Sequence, residues 1–160
     1  MANVWDADLP TDRERAARLI AEQFPTLAHL SVEPFGEGFD NAAYRVGPYV
    51  FRFPRRRFAL DCLEREIRWL PSLALVLPVA MTNPTFVGRD EAGHPFAGYR
   101  LIEGQPACRA RLSETERVAL APVLGKVLRV LHAQPADDLP GDLIKRADPT
   151  HRIGVARAWI

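Results

Sequence analysis

Apolar residues recur at two different spacings along this chain, and these spacings separate predicted helices from predicted strands. Three segments place apolar residues three or four positions apart, as in a helix with one buried face: residues 11–24, 59–70 and 113–135. Five shorter segments are rich in β-branched and aromatic residues and are expected to be strands: residues 31–35, 42–46, 49–53, 85–88 and 96–102. Their order predicts an α+β fold, in which a five-stranded antiparallel sheet packs with helices.

The ends of the predicted helices carry their own signals. Thr11 with Glu14, and Ser113 with Glu116, have the spacing of a capping box, so each pair is expected to begin a helix. Pro71 follows the second apolar stripe. It is expected to end that helix, because proline has no backbone N–H to donate.

Residues 103–106, Glu-Gly-Gln-Pro, interrupt both spacings and predict a linker between two units. The first unit is residues 1–103. The second, residues 104–160, contains the third helix and then a weakly patterned segment. The last residue, Ile160, is apolar, which favours a sequence that stops inside a larger fold. The uncovered apolar stripe of the third helix would then favour a homo-oligomer.

Charge and composition exclude several functions. The 160 residues include 21 basic and 20 acidic side chains, and a formal net charge of +1 does not favour binding to nucleic acid or to an anionic membrane. Cys62 and Cys108 stand outside any Cys/His cluster, so we expect neither a disulfide framework nor a metal site. No apolar run reaches the roughly 18 residues of a transmembrane helix. No signal peptide is recognisable, and a cytoplasmic protein is expected.

A glycine-containing segment lies between the first two predicted strands. Residues 35–41 read Phe-Gly-Glu-Gly-Phe-Asp-Asn. Glycines at such a place allow backbone N–H groups to approach phosphate oxygens. An ordinary hairpin turn that needs a positive φ has the same composition, so this segment alone does not decide between the two interpretations.

Charged residues on the next strand and helix suggest a partner for that segment. Arg52 has a phenylalanine on each side, so its side chain is expected on the strand face opposite the two rings. Glu66 lies at one edge of the apolar stripe of the second helix, and Glu64 lies at the other edge. A cation on the strand that pairs with a carboxylate on the helix would hold nucleotide phosphates. The alternative is that these charged side chains are solvated at the surface and do not pair. Arg55–Arg57 are interpreted as ordinary surface arginines.

The last predicted strand leads into the linker. Residues 96–102 therefore bring exposed backbone to the junction between the two units. Small-molecule clefts form preferentially at such junctions, and backbone N–H and C=O groups there could bind the edge of a purine.

Five motifs occur in order between Leu30 and His132: Phe35–Asn41, Val50–Arg55, Glu66–Pro71, Phe96–Pro106 and Leu131–His132. Together they resemble the aminoglycoside phosphotransferase family, and most closely its 2''-phosphotransferases. The resemblance implies a protein-kinase-like N-lobe followed by a truncated start of a helical C-lobe, with ATP or GTP and Mg²⁺ as cofactors. It also implies that the full-length protein transfers the γ-phosphate to a hydroxyl of an aminoglycoside or a similar small molecule.

The resemblance assigns roles to individual residues. Gly36 and Gly38 would belong to the loop that covers the nucleotide. Arg52 would occupy the position of the phosphate-binding lysine, with Glu66 as its ion-pair partner. Tyr99 would lie near the gatekeeper position, and the backbone just after it would form the hinge that reads the purine. The predicted nucleotide-binding residues are therefore Gly36, Gly38, Asn41, Arg52, Glu66, Tyr99, Arg100 and Ile102.

Two departures from the family pattern bear on activity. Arg52 stands where the family commonly has lysine, and a planar guanidinium differs in geometry from an ammonium group. Kinase-like transfer uses an Asp base two residues after a His and a later Asp for Mg²⁺, but no histidine here is followed by Asp at that distance. We therefore expect no catalytic and no metal-binding residue, and nucleotide binding without turnover. His132 matches a family position but is expected to pack in a helix face.

Two other functions are compatible with the pattern. A non-enzymatic α+β module could keep this lobe fold and bind protein through its exposed helix and sheet, and the missing Asp residues favour it. The joint presence of the two loop glycines, Arg52 and Glu66 favours nucleotide binding, because a scaffold has no physical need for them together. An RNA-binding sheet would depend on Arg55–Arg57 and surface aromatics, and the net charge of +1 argues against it.

Overall fold

The computed structural model describes residues 7–135, 148–150 and 153 of the chain. In that part, helices and strands follow in this order: α1 (Arg13–Gln23), β1 (Val32–Glu37), β2 (Asn41–Val46), β3 (Tyr49–Pro54), α2 (Arg57–Val76), β4 (Pro84–Arg89), β5 (Pro95–Arg100) and α3 (Glu114–His132). A short 3-10 turn, Pro25–Leu27, follows α1. The predicted α+β class is confirmed, and each strand ends within two residues of its predicted bounds.

The first helix begins one residue later than the capping-box spacing indicates. Asp12 is its N-cap, and the Asp12 carboxylate accepts a hydrogen bond of 2.8 Å from the Arg15 amide. An ionised carboxylate accepts such a bond more strongly than a hydroxyl does, so the prediction based on Thr11 is wrong. The predicted box at α3 is confirmed, because Ser113 and Glu116 each bond the other's backbone amide.

The second helix continues through Pro71, so the prediction that proline ends it is wrong. Proline removes the hydrogen bond that its own N–H would donate, and its ring crowds the carbonyl four residues earlier, but this helix accommodates both effects. The helical ladder resumes beyond it, where the Leu77 amide donates to the Leu73 carbonyl at 3.0 Å.

All five strands form one antiparallel sheet in the order β1-β2-β3-β5-β4. The predicted five-stranded antiparallel sheet is confirmed. β5 ends at Arg100, two residues before the predicted end at Ile102. The Leu101 amide still donates to the Pro48 carbonyl at 2.9 Å, one position beyond the last β3–β5 pair, and the strand does not continue past it.

Aromatic side chains and α1 fill one face of this sheet. Phe51 and Phe96 are almost fully buried beside Ile20 of α1, and the Phe53 ring stacks on Phe96 with centroids 4.7 Å apart. Gly98 lies opposite Phe51 in the ladder, and a Cβ at Gly98 would come within 2.6 Å of the Phe51 ring. Glycine is therefore the residue that allows this close approach.

The opposite face of the sheet is covered only in part, by α2. Leu63 of α2 packs against Ala97 and Tyr99 of β5. The main contacts of α2 are with β3, β4 and β5, so the β1–β2 end of this face is less covered. Alternation along the strands puts Ala43 and Arg52 on this same face.

Within the described residues, α3 buries none of its side chains. Its exposed apolar residues are Val118, Leu120, Val123, Leu124, Leu128 and Leu131. His132, expected to pack, is exposed at the end of this helix, where it lines a cavity with Trp69 and Leu73 of α2. None of the described helices is both long enough and apolar enough to span a membrane. The division at residue 103 stays a prediction.

Candidate functional site

Arg52 and Glu66 meet on the sheet face that α2 partly covers. Arg52 Nη1 donates to Glu66 Oε2 at 2.7 Å, and Nη2 donates to Oε1 at 3.4 Å. Their side chains remain 32% and 30% exposed, so a ligand in solvent can reach the guanidinium. Glu64, at the other edge of the stripe, pairs instead with Arg89 of β4 at 2.7 Å. Of the two helix glutamates, Glu66 is the one that reaches the strand cation.

Tyr99 joins this pair from β5. Its hydroxyl donates to Glu66 Oε2 at 3.3 Å, and the guanidinium carbon of Arg52 lies 5.5 Å from the centroid of its ring. Burial, followed by the negative charge of Glu66, raises the pKa of Tyr99 above its ordinary value. The phenol therefore stays protonated at neutral pH and donates to the same carboxylate that holds Arg52.

Small residues lie on both sides of Arg52 in the sheet. The register pairs Arg52 with Ala43 of β2 and with Ala97 of β5, and Ala43 in turn pairs with Gly36 of β1. Residues paired in this way project from the same face. Among the described atoms, none lies within 4 Å of a Cβ built at Gly36. Ala97 is buried beneath Leu63, so the room for an anionic group beside the guanidinium lies on the side of Ala43 and Gly36.

A cavity of about 480 Å³ opens at this face, a volume in the range of small-molecule sites. β1, β3 and β5 contribute one wall, and the segment after β5 contributes another. The lining residues are Phe35, Val50, Arg52, Thr82, Tyr99 and residues 100–106. The wall is thus mostly apolar and aromatic, with the Arg52 guanidinium at one side.

Half of the predicted nucleotide-binding residues line this cavity: Arg52, Tyr99, Arg100 and Ile102. The other half lie outside its lining. Glu66 contacts two lining residues from outside it, and Gly36 lies in the adjacent row of small residues. Gly38 and Asn41 close the turn between β1 and β2, where the Gly38 amide donates to the Asn41 carbonyl at 2.9 Å.

Outside the linker, four lining residues are absent from the predicted set: Phe35, Val50, Thr82 and Leu101. Leu101 lies between two predicted residues, in the backbone expected to form the hinge. Val50 was recognisable, because it lies two positions from Arg52 in one strand and therefore shares its face. Phe35 was not, since the β1–β2 register shifts between Pro34 and Gly36 and such a bulge redirects a side chain. Thr82 comes from the irregular segment before β4 and carries no sequence signal.

Arg55 and Arg56 bind the turn between β1 and β2, so their interpretation as ordinary surface arginines is wrong. Arg55 Nη1 donates to the Gly38 carbonyl at 2.8 Å, and its Nη2 pairs with the Glu37 carboxylate at 2.7 Å. Arg56 Nε donates to the Phe39 carbonyl at 3.2 Å, and its guanidinium lies 4.0 Å from the centroid of that ring. These partners lie 17 positions apart in sequence, and no local pattern predicts such contacts.

The family resemblance implies Mg²⁺, which nucleotide sites hold through one or two carboxylates together with the phosphates. Nowhere in the described ranges do three or more His, Cys, Asp or Glu side chains lie close enough to hold a metal ion. Glu66, the carboxylate that contacts the cavity wall, is engaged by Arg52 and Tyr99. Glu103 is the carboxylate residue in the cavity lining itself.

A protein-family model matches the part of the chain that contains the five motifs. The model for APH, described as the phosphotransferase enzyme family, matches residues 31–158. The chain belongs to the phosphotransferase enzyme family. The match includes the β1–β2 turn, the Arg52–Glu66 pair and α3, so the resemblance noted from the sequence is confirmed. No curated protein matches the chain.

Solved structures of phosphotransferases share this fold. The GDP complex of wild-type aminoglycoside 2'-phosphotransferase-IIIa is 33% identical with a TM-score of 0.73, over 79% of this chain and 44% of that chain. The GDP complex of a point mutant of that enzyme is 30% identical with a TM-score of 0.80, over 92% and 50%. The GDP and kanamycin complex of APH(2'')-IIIa is 35% identical with a TM-score of 0.70, over 76% and 42%. The chain therefore spans half or less of the length of these relatives.

Proposed function

We propose that this chain is the nucleotide-binding part of a phosphotransferase and binds ATP or GTP in the cavity beside Arg52. The observation that carries the proposal is the Arg52–Glu66 ion pair at the wall of that cavity, next to a row of small residues. A guanidinium fixed by a carboxylate presents its remaining N–H groups to phosphate oxygens. The GDP complexes of the relatives support a purine nucleotide as the ligand.

The other walls of the cavity suit a purine. Phe35, Val50 and Tyr99 offer apolar and aromatic surface against which a purine ring packs. The backbone from Arg100 to Ile102 lines the same cavity and is proposed as the hinge that binds the purine edge. Gly36, Gly38 and Asn41 then shape the β1–β2 turn over the phosphates.

In the full-length protein, the acceptor of the γ-phosphate is proposed to be a hydroxyl of an aminoglycoside or a similar small molecule. One relative is a complex with kanamycin, which supports this class of acceptor. The hydroxyl oxygen attacks the γ-phosphorus and gives its proton to a general base, while the bond to the β-phosphate oxygen breaks and the nucleoside diphosphate leaves. Because no histidine in the sequence is followed two residues later by Asp, we expect this chain alone to bind nucleotide without transferring phosphate.

The cellular setting is also a proposal. Cys62 and Cys108 stand outside any CxxC or Cys/His pattern in the sequence, which supports a reducing compartment, the cytoplasm. The exposed apolar face of α3 supports a homo-oligomer formed through that helix.

Calorimetric titration of the chain with GTP and with ATP tests the nucleotide proposal. Arg52→Ala is expected to raise the Kd of the preferred nucleotide by about tenfold or more, because it removes charge-assisted hydrogen bonds to phosphate. Arg57→Ala is the matched control. It removes the same charge outside the cavity lining, and its Kd is expected to stay within about twofold of the wild type.

An equal rise of the nucleotide Kd in Arg52→Ala and Arg57→Ala would contradict the phosphate-binding role of Arg52. If the wild type shows no saturable binding at about 1 mM nucleotide, the nucleotide function itself is wrong. The second candidate, a non-enzymatic protein-interaction module, would then be favoured by the exposed apolar face of α3.

A further inference from the structure

The turn between β1 and β2 is held by Arg55 and Arg56, which together are called the arginine clamp here. Three successive carbonyl groups of the turn accept hydrogen bonds from the clamp: Gly38 from Arg55 Nη1 at 2.8 Å, Phe39 from Arg56 Nε at 3.2 Å, and Asp40 from the Arg55 amide at 2.8 Å. The clamp therefore binds every peptide carbonyl between the end of β1 and the start of β2.

Side-chain contacts reinforce these backbone bonds. The Arg55 side chain is only 18% exposed and pairs with Glu37 at 2.7 Å. The Arg56 guanidinium lies over the Phe39 ring, and the Phe39 ring lies 6.2 Å from the ring of Phe58 in α2. Cation–π and ring contacts thus tie the tip of the turn to the first turn of α2.

Hydrogen bonding of successive carbonyl groups fixes the peptide planes of the turn. The described chain contains no cis peptide bond, and in a trans peptide the C=O and the following N–H point in opposite directions. Since the Gly38 and Phe39 carbonyl groups point toward the clamp, the amides of Phe39 and Asp40 point away from it. The arginines therefore set the direction of these amides as well as the position of the turn.

We infer that Arg55 and Arg56 are positioning residues for the phosphates of the nucleotide. They hold the turn in one arrangement at the edge of the sheet face that carries Arg52, so a nucleotide binds without first having to order it. Neither arginine lines the cavity, and each acts through the turn. The inference rests on the proposed function, because it concerns the same nucleotide.

Arg55→Ala and Arg56→Ala test the clamp, with Arg57→Ala as the control for loss of charge. Calorimetry with GTP and with guanosine distinguishes the contribution of the phosphates to binding from that of the nucleoside. The Kd for GTP is expected to rise about fivefold in each clamp variant, whereas the Kd for guanosine stays within about twofold. Arg57→Ala is expected to change neither value by more than about twofold.

Glu37→Ala separates the clamp from simple electrostatics. Removal of an acidic side chain strengthens the binding of an anionic ligand if charge alone matters. Loss of the Arg55 partner loosens the clamp, so we expect the Kd for GTP to rise about twofold or more. Tighter GTP binding by Glu37→Ala would overturn the inference. An equal loss of affinity for GTP and for guanosine in Arg55→Ala and Arg56→Ala would also overturn it.

Amide hydrogen exchange in the ligand-free chain reports on the turn directly. Exchange at residues 38–41 is expected to be faster in Arg55→Ala than in the wild type and unchanged in Arg57→Ala. A wild type that binds no GTP overturns the proposed function, and with it the role of the clamp. A wild type that binds GTP, with unchanged affinity in Arg55→Ala and Arg56→Ala, overturns the clamp alone.

Discussion

The direction of the Arg52 side chain follows from its two neighbours. Phe51 and Phe53 enter the aromatic core, and alternation along β3 turns Arg52 to the other face, where Glu66 lies. This part of the site could be predicted from sequence, because it depends on one strand and one helix stripe. The direction of Phe35 could not, since it depends on a β-bulge. The arginine clamp could not either, because its contacts depend on how a turn folds back on a distant segment.

Close packing at a single glycine leads to a prediction about stability. Gly98→Ala is expected to lower the free energy of unfolding by about 1–3 kcal/mol, because the new Cβ would lie 2.6 Å from the Phe51 ring. Gly36→Ala is the control, and its effect is expected to stay within about 0.5 kcal/mol, because no described atom lies within 4 Å of the added Cβ. Urea denaturation followed by circular dichroism measures both. Equal destabilisation by the two substitutions would contradict the packing described at Gly98.

The helices differ in how well their sequence predicts their extent and their packing. α1 and α2 bury the apolar stripes that the sequence shows, with Leu19 and Leu63 among the buried residues. The length of α2 was underestimated, because Pro71 costs one hydrogen bond and the helix continues past it. α3 has a weaker apolar pattern and buries none of its described side chains. Periodicity therefore predicts a helix, whereas its packing partner must come from the rest of the fold.

The exposed face of α3 leads to a prediction about oligomeric state. Light scattering during gel filtration at about 100 μM is expected to give more than the monomer mass of 17.9 kDa. Leu124→Glu is expected to restore the monomer, because Leu124 is 59% exposed on this face. Leu75→Glu is the control, since Leu75 is 87% exposed on α2 and lies outside the proposed interface. A monomeric wild type, or dissociation by Leu75→Glu alone, would contradict association through α3.

In the molecule as a whole, the sheet separates a core from a ligand face. One face is closed by α1 and a cluster of phenylalanines, whereas the other carries Arg52, the row of small residues and the cavity. The family match and the solved relatives agree with this fold. The five-stranded antiparallel sheet could be predicted, because the order of strands and helices resembles a known family. The placement of β5 between β3 and β4 was not predicted, and the cavity lining depends on the path of the chain after β5.

The central claim is that a purine nucleotide binds on the face that carries Arg52. The most direct test is titration of the ¹⁵N-labelled chain with GDP, followed by the chemical shifts of backbone amides and arginine Nε–H groups. The account predicts saturable changes at Arg52 and at residues 100–106, with small changes in α1 on the opposite face. Saturable changes confined to α1 or α3, or no change at about 1 mM GDP, would contradict it.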